Sequence, residues 1–246
     1  MGFFNQLFGK DKEQPANHGN DTVSQPVQAP CTSEQELLER FGGIALDKQA
    51  ALGDVIGDRD WNADITRAEI SFGDDLVFPI QVLGTFSHSS ETWLWAWANE
   101  QSGLPDSILQ HALQLKAYGA SNGIDLLRNS DFDAVSTDLH LIGMTASGML
   151  NASGYYIADY GQGAMVVTLQ SDAVDRVPAD EHLRILTVFP QLISQFEVHH
   201  RAALMHYVRA KGYAVTEDGS VLSATKNDRT MTATFDAQGR LTNLKG

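Results

Sequence analysis

The chain of 246 residues carries 31 acidic and 17 basic side chains, a formal net charge of -14. A field of that sign repels nucleic acid and anionic membrane, so neither is expected as a partner, whereas a basic protein is compatible with it. Cys31 is the only cysteine, which excludes an intramolecular disulfide and a cysteine-based zinc site and fits a reducing cytoplasm.

In chain order, Met1 to Lys10 places Phe3, Phe4, Leu7 and Phe8 on one face of a short helix. That face suits packing on its own domain, or weak peripheral contact with a membrane or partner. Residues 12–33 are polar, hold Pro15, Pro26 and Pro30, and read as a disordered linker. Residues before Ser33 are therefore expected to be dispensable for folding. No apolar run approaches roughly 18 residues, so neither an integral membrane segment nor a signal peptide is expected.

Thr32 or Ser33 can cap a helix from Glu34, with Glu36 in its first turn. Leu37, Leu38, Phe41, Ala45 and Leu46 recur at mostly helical spacing, and Gly42-Gly43 is expected to break or kink the run. From Asp60 the period becomes two. Thr66, Ala68, Ile70 and Phe72 share a face of one strand, and Gly73-Asp74-Asp75 is turn chemistry. Leu76 to Phe78 is short, Pro79 marks an edge or a strand start, and Ile80 to Ser87 is the next strand. His88-Ser89-Ser90 then leads into Glu91 to Asn99, read as a strand with Trp93, Trp95 and Trp97 on one face. Connections this short make an antiparallel meander.

Leu104-Pro105-Asp106 opens a helix that Gly119 ends. Ser130, with Asp133 three residues on, is expected to cap the next, whose stripe is Val135, Leu139, Ile142, Ala146 and Met149. Gly143 and Ser147 leave room for another backbone. Tyr155 to Tyr160 and Ala164 to Leu169 flank Gly161-Gln162-Gly163 as a hairpin. Asp180 caps a helical region that Pro190 is expected to split, leaving a long helix from Gln191 to Lys211. The remainder is a four-stranded meander with turns at Asp218-Gly219, Asn227-Asp228 and Asp236 to Gly239.

These elements predict an α+β fold: an antiparallel meander and hairpin with helices on the faces, then a C-terminal long helix and four-stranded meander. The expected divisions are 1–33, a main domain over 34–189, and 190–246, packed on it or forming a small subdomain.

No catalytic motif stands out. Glu197 and His200 have Glu-x-x-His spacing on a helix, with His199 and His206 nearby, but di-iron sites need a second copy and two more glutamates. No metal and no cofactor are therefore expected. His88-Ser89-Ser90-Glu91 places a base, hydroxyls and a carboxylate in one loop, but such triads assemble in space rather than from sequence neighbours. Large aromatic surfaces beside a few polar groups suit a ligand pocket. The candidate binding residues are Trp93, Trp97, Asn99, Tyr155, Tyr156 and Asp159, with Asn99 and Asp159 bordering one cleft. Trp95, at the centre of the aromatic run, is expected to be buried.

Trp93-x-Trp95-x-Trp97-Ala98-Asn99, Tyr118-Gly119, Tyr155-Tyr156 and Phe235-Asp236-x-x-Gly239-Arg240-Leu241 resemble, in this order, a bacterial family known only as a domain of unknown function. The likeness runs from about Glu34 to the C-terminus and implies no catalytic residues. The reading is a cytoplasmic, non-catalytic binding or interaction module using a Trp/Tyr-rich sheet surface, its partner a protein or a small molecule. The alternatives are an immunity-type inhibitor of a basic toxin and a hydrolase with a site between the meander and the Tyr hairpin.

Overall fold

The computed structural model describes residues 29–176 and 180–246. The amphipathic run Phe3, Phe4, Leu7 and Phe8 lies outside them. Helix α1 spans Glu34–Ile56, with the Ser33 hydroxyl accepting from the Glu36 N–H at 3.2 Å. It runs unbroken through Gly42-Gly43. A Cβ on Gly43 would stand 2.6 Å from Tyr207, and one on Gly42 3.0 Å from Leu192, so the two glycines admit neighbouring helices to close range. That packing outweighs a propensity cost of roughly 1 kcal/mol per glycine. The expected linker also ends earlier than Ser33. Cys31 is fully buried, and its N–H donates to the Tyr118 hydroxyl at 2.6 Å.

Strands β1 (Trp61–Asp64) and β2 (Glu69–Phe72) form a hairpin, where one strand over 65–72 was expected. The turn closes at Ala68, with φ +56°. Ile70 and Phe72 do share a buried face. Strand β3 (Leu76–Ser87) is continuous through Pro79. Pro79 sits opposite Glu69, and it is the neighbouring Ile80 whose N–H donates to Ala68 at 2.9 Å. The proline's missing N–H therefore removes nothing from the β2 ladder. On the other side, the Pro79 carbonyl accepts from the Gln170 N–H at 3.1 Å. Pro79 thus marks where β3 exchanges β2 for a later strand.

Strand β4 spans only Thr92–Trp95, and Ala96–Ala98 is a 3-10 turn. Trp93 and Trp95 are fully buried, in edge-to-face contact at 5.4 Å between centroids. The Trp95 indole N–H donates to the Leu126 carbonyl at 3.0 Å. Gly84 makes room for Trp93, since a Cβ there would collide with the indole. The turn rotates Trp97 off this face and leaves it half-buried, with Lys116 Nζ 3.9 Å above its ring.

Residues Asp106–Ile108 form another 3-10 turn before α2 (Gln110–Asn122). Gly119 does not end α2. It is buried against Leu127, and Gly123 at φ +72° closes the helix. After the short α3 (Asp125–Arg128), residues Asp131–Asp133 become strand β5, pairing Phe132 with Trp93. Ser130 therefore caps no helix. Helix α4 (Ser136–Met149) begins later, where the Asp138 carboxylate accepts from the Val135 N–H at 2.8 Å, and Val135 itself is exposed.

Strands β6 (Gly154–Asp159) and β7 (Gly163–Leu169) form the expected hairpin, and β7 pairs with β3 to complete a seven-stranded antiparallel sheet. A short α5 (Asp172–Asp175) follows. Helix α6 (Glu181–Gln195) starts at Asp180, whose carboxylate accepts from the N–H groups of His182 and Leu183. It passes through Pro190 without splitting. Buried Val188, Phe189 and Leu192 offset a cost of about 3 kcal/mol for an interior proline, whose ring faces outward. The break comes instead before α7 (His200–Ala210).

Strands β8 (Ala214–Asp218), β9 (Val221–Lys226), β10 (Arg229–Phe235) and β11 (Leu241–Lys245) form a separate antiparallel sheet in the order β11-β10-β9-β8. Asn227 and Asp228 both take positive φ at the tight β9–β10 turn. The fold is α+β. Residues Cys31–Gly246 make one compact unit, and one core cluster joins Leu37 of α1 to Tyr207 of α7 and Phe235 of β10. At its heart Asp47 accepts from the Tyr207 hydroxyl at 2.9 Å and pairs with Lys211 at 2.9 Å. Among the described residues no helix is long and apolar enough to cross a membrane.

Candidate ligand-binding cleft

The six aromatic and polar residues singled out in the sequence occupy different environments. Trp93 and Tyr155 lie in the core. The Tyr155 ring packs on Gly143, its hydroxyl reaches His140 Nδ1 at 2.9 Å, and burial pushes the phenol far up from its ordinary pKa. Tyr156 is half-buried and meets Phe72 edge-on at 4.9 Å. Trp97 has Lys116 over its ring. Asn99 is a turn residue whose carbonyl accepts from the Ser102 hydroxyl at 2.6 Å. Asp159 is exposed at the end of β6. It takes the Gly161 N–H at 2.7 Å, which together with His88 Nε2 at 3.1 Å holds its carboxyl below the usual range. Strands β7 and β3 lie between Asp159 and the β4 segment that leads to Asn99.

The other sequence candidates also separate. In the turn after β3, the Ser87 and Ser89 hydroxyls bond to each other at 3.2 Å, and Ser90 bonds to Thr92 at 2.6 Å. None of these hydroxyls is bonded to His88, which faces Asp159. Glu197 sits in the connection before α7, so it does not share a helix with His200. The His200 Nδ1 accepts from the Leu241 N–H at 3.0 Å. Both line a cavity of about 350 Å3 with His199 and Arg240. Among the described residues no group of three or more His, Cys, Asp or Glu is placed to hold a metal ion.

A different region assembles a cleft of about 340 Å3 between α2 and the paired ends of β3 and β7. Ile80, Gln81, Thr168 and Leu169 line its sheet side, and Gln110, His111 and Gln114 line its helix side. Leu150 closes one flank, with Pro79 and Gln170 on another. Gln81 fixes the two sides to each other. Its amide oxygen accepts from the Gln110 N–H at 2.9 Å, and its amide nitrogen donates to the Ser107 carbonyl at 2.9 Å. The glutamine thus satisfies a free donor of the first turn of α2. His111 Nδ1 and the buried Thr168 hydroxyl are 2.7 Å apart, which anchors the imidazole. Burial lowers the His111 pKa from its ordinary value, so the ring is neutral at pH 7.

No lining residue carries a formal charge at neutral pH. The cleft therefore offers carboxamides, one imidazole and one hydroxyl over aliphatic walls. Such a surface can bind and orient a ligand. Gln81, His111 and Thr168 are far apart in sequence, and no local pattern marks them. The one signal was on α2, where Gln114 stands one turn beyond both Gln110 and His111, at i+4 and i+3.

Fold and cleft together define an α+β protein with an uncharged pocket on its larger sheet. A model described as "Family of unknown function (DUF6882)" matches residues 35–172, more than half of the chain, and the chain belongs to that family. The match begins at the first turn of α1 and takes in the seven-stranded sheet and every residue lining the cleft. It ends before α6, α7 and the four-stranded sheet, so the Phe235 to Leu241 motif falls outside it. No curated protein and no solved structure matches the chain.

Proposed function

We propose that this protein is a non-catalytic binding module whose ligand is a small uncharged molecule held in the α2–β3–β7 cleft. The observation that carries the reading is the lining itself. In a chain with 31 acidic and 17 basic residues, this concavity is walled without any of them, yet keeps open hydrogen-bonding groups. Binding sites of this kind combine mostly apolar walls with a few placed polar groups. The volume suits a ligand near the small end of the usual range. Burial of both Trp93 and Tyr155 moves the reading away from the Trp/Tyr sheet surface and towards the cleft. A reducing cytoplasm fits the single, unpaired and buried Cys31.

The test is a screen of uncharged fragments by NMR on the isotope-labelled chain. Saturable hits should move the His111 ring signals and the Gln170 side-chain amide. Thr168→Val removes the hydroxyl that anchors His111 while conserving volume, and should weaken those hits with the fold intact. A screen whose hits leave both residues unmoved would sink the proposal.

The hydrolase alternative has one contact in its favour, the His88–Asp159 pair at 3.1 Å. Esterase activity lost in both Ser89→Ala and Asp159→Asn would establish it over the binding reading.

A further inference from the structure

We infer that the cleft selects ligands presenting the planar, uncharged edge of an amide, in which a hydrogen-bond donor stands beside an acceptor. The inference rests on the binding reading above and adds the ligand's chemical class. It follows from which polar atoms of the lining are already paired. Both polar atoms of Gln81 are engaged, to Ser107 and Gln110. The Gln110 amide nitrogen donates to the Asp106 carbonyl at 2.7 Å, which leaves its oxygen as an acceptor. His111 Nδ1 is held by Thr168, which leaves Nε2. Gln114 makes no side-chain hydrogen bond among the described residues and offers a donor and an acceptor side by side.

Gln110, His111 and Gln114 stand at positions i, i+1 and i+4 of α2, so these free groups line one stretch of one wall. A carboxamide is the side chain that pairs in two-point fashion with another planar donor–acceptor edge, as glutamine does with adenine. The opposing walls, from Ile80, Leu150 and Leu169, are aliphatic. They can cover the faces of a planar group. The lining holds no aromatic platform for a sugar ring and no carboxylate for paired hydroxyls. It also holds no cation for a phosphate or a carboxylate. A primary amide and a nucleobase share the required edge.

The experiment titrates the full labelled chain separately with propionamide, uridine and methyl β-glucoside. Propionamide or uridine should saturably move the Gln114 side-chain amide and the His111 ring signals. The tighter of the two identifies the source of the edge. Gln114 is exposed, so Gln114→Ala should fold normally and weaken that probe about tenfold or more, the scale of one two-point pair. Binding of methyl β-glucoside alone at these residues would overturn the amide class while leaving the cleft a binding site. Unaltered affinity in Gln114→Ala would also overturn the class. Silence from all three probes, with no cleft hit in the wider fragment screen, would overturn both readings.

Discussion

Replacing Trp95 by alanine tests the central packing claim. Its indole is fully buried, stands edge-to-face on Trp93 at 5.4 Å, and donates to the Leu126 carbonyl at 3.0 Å. Truncating a large buried aromatic costs about 3–5 kcal/mol through lost transfer energy and the cavity left behind. The stranded Leu126 carbonyl adds to that, since an unsatisfied buried acceptor costs about 1–3 kcal/mol. Trp97→Ala is the internal control. Trp97 is half-buried on a 3-10 turn at the margin of the same core, makes no hydrogen bond through its indole N–H, and carries Lys116 over its ring, a contact worth about 0.5–1 kcal/mol at exposed sites. Urea unfolding followed by circular dichroism should therefore show Trp95→Ala losing at least about 2 kcal/mol more than Trp97→Ala, with unchanged m-values. Equal losses in the two variants would falsify the division of this aromatic run into core and surface.

Gly43→Ala should destabilise by about 1–3 kcal/mol despite alanine's better helix propensity, because the new Cβ would lie 2.6 Å from Tyr207; a raised melting temperature would contradict the close helix contact. Asp47→Ala should cost about 1–3 kcal/mol, since it leaves the buried Tyr207 hydroxyl unpaired and Lys211 with Glu181 alone, at 3.8 Å. Near-wild-type stability in that variant would show the pair to be dispensable. His111 and His206 have pKa values lowered by burial, with Arg40 adding to the effect at His206. Below the ordinary histidine pKa of about 6.5 the unfolded chain binds protons that the folded chain refuses, so stability should fall as the pH drops from 7 through this range. His111→Gln should reduce that slope, and an identical pH profile would refute the desolvated placement of the ring.

Much of the fold was legible because it rests on neighbours in sequence. Asp218-Gly219 and Asn227-Asp228 supply the backbone freedom of tight turns, so the final meander could be read strand by strand. Ser33 and Asp180 offer oxygen acceptors to unpaired helix N–H groups, which located the starts of α1 and α6. Alternation placed Trp93 and Trp95 on one face of a strand, and Trp95 is buried as expected.

The failures lie where distant packing overrode a local preference. Residues 131–133 resemble a helix cap, but β4 recruits them as an edge strand. Gly42-Gly43 and Pro190 resemble helix breaks, but the surfaces buried by Tyr207, Leu192 and Phe189 keep both helices continuous. The cleft is the furthest from local reading. Turn and cap chemistry acts within a few residues, so the sequence alone determined the β6–β7 hairpin, the turns of the final meander, the Ser33 and Asp180 caps and the burial of Trp95. Only the tertiary structure could bring Gln81 of β3, His111 of α2 and Thr168 of β7 to one wall-to-wall set of contacts, because hydrogen bonds across 29 and 57 residues leave no periodicity behind.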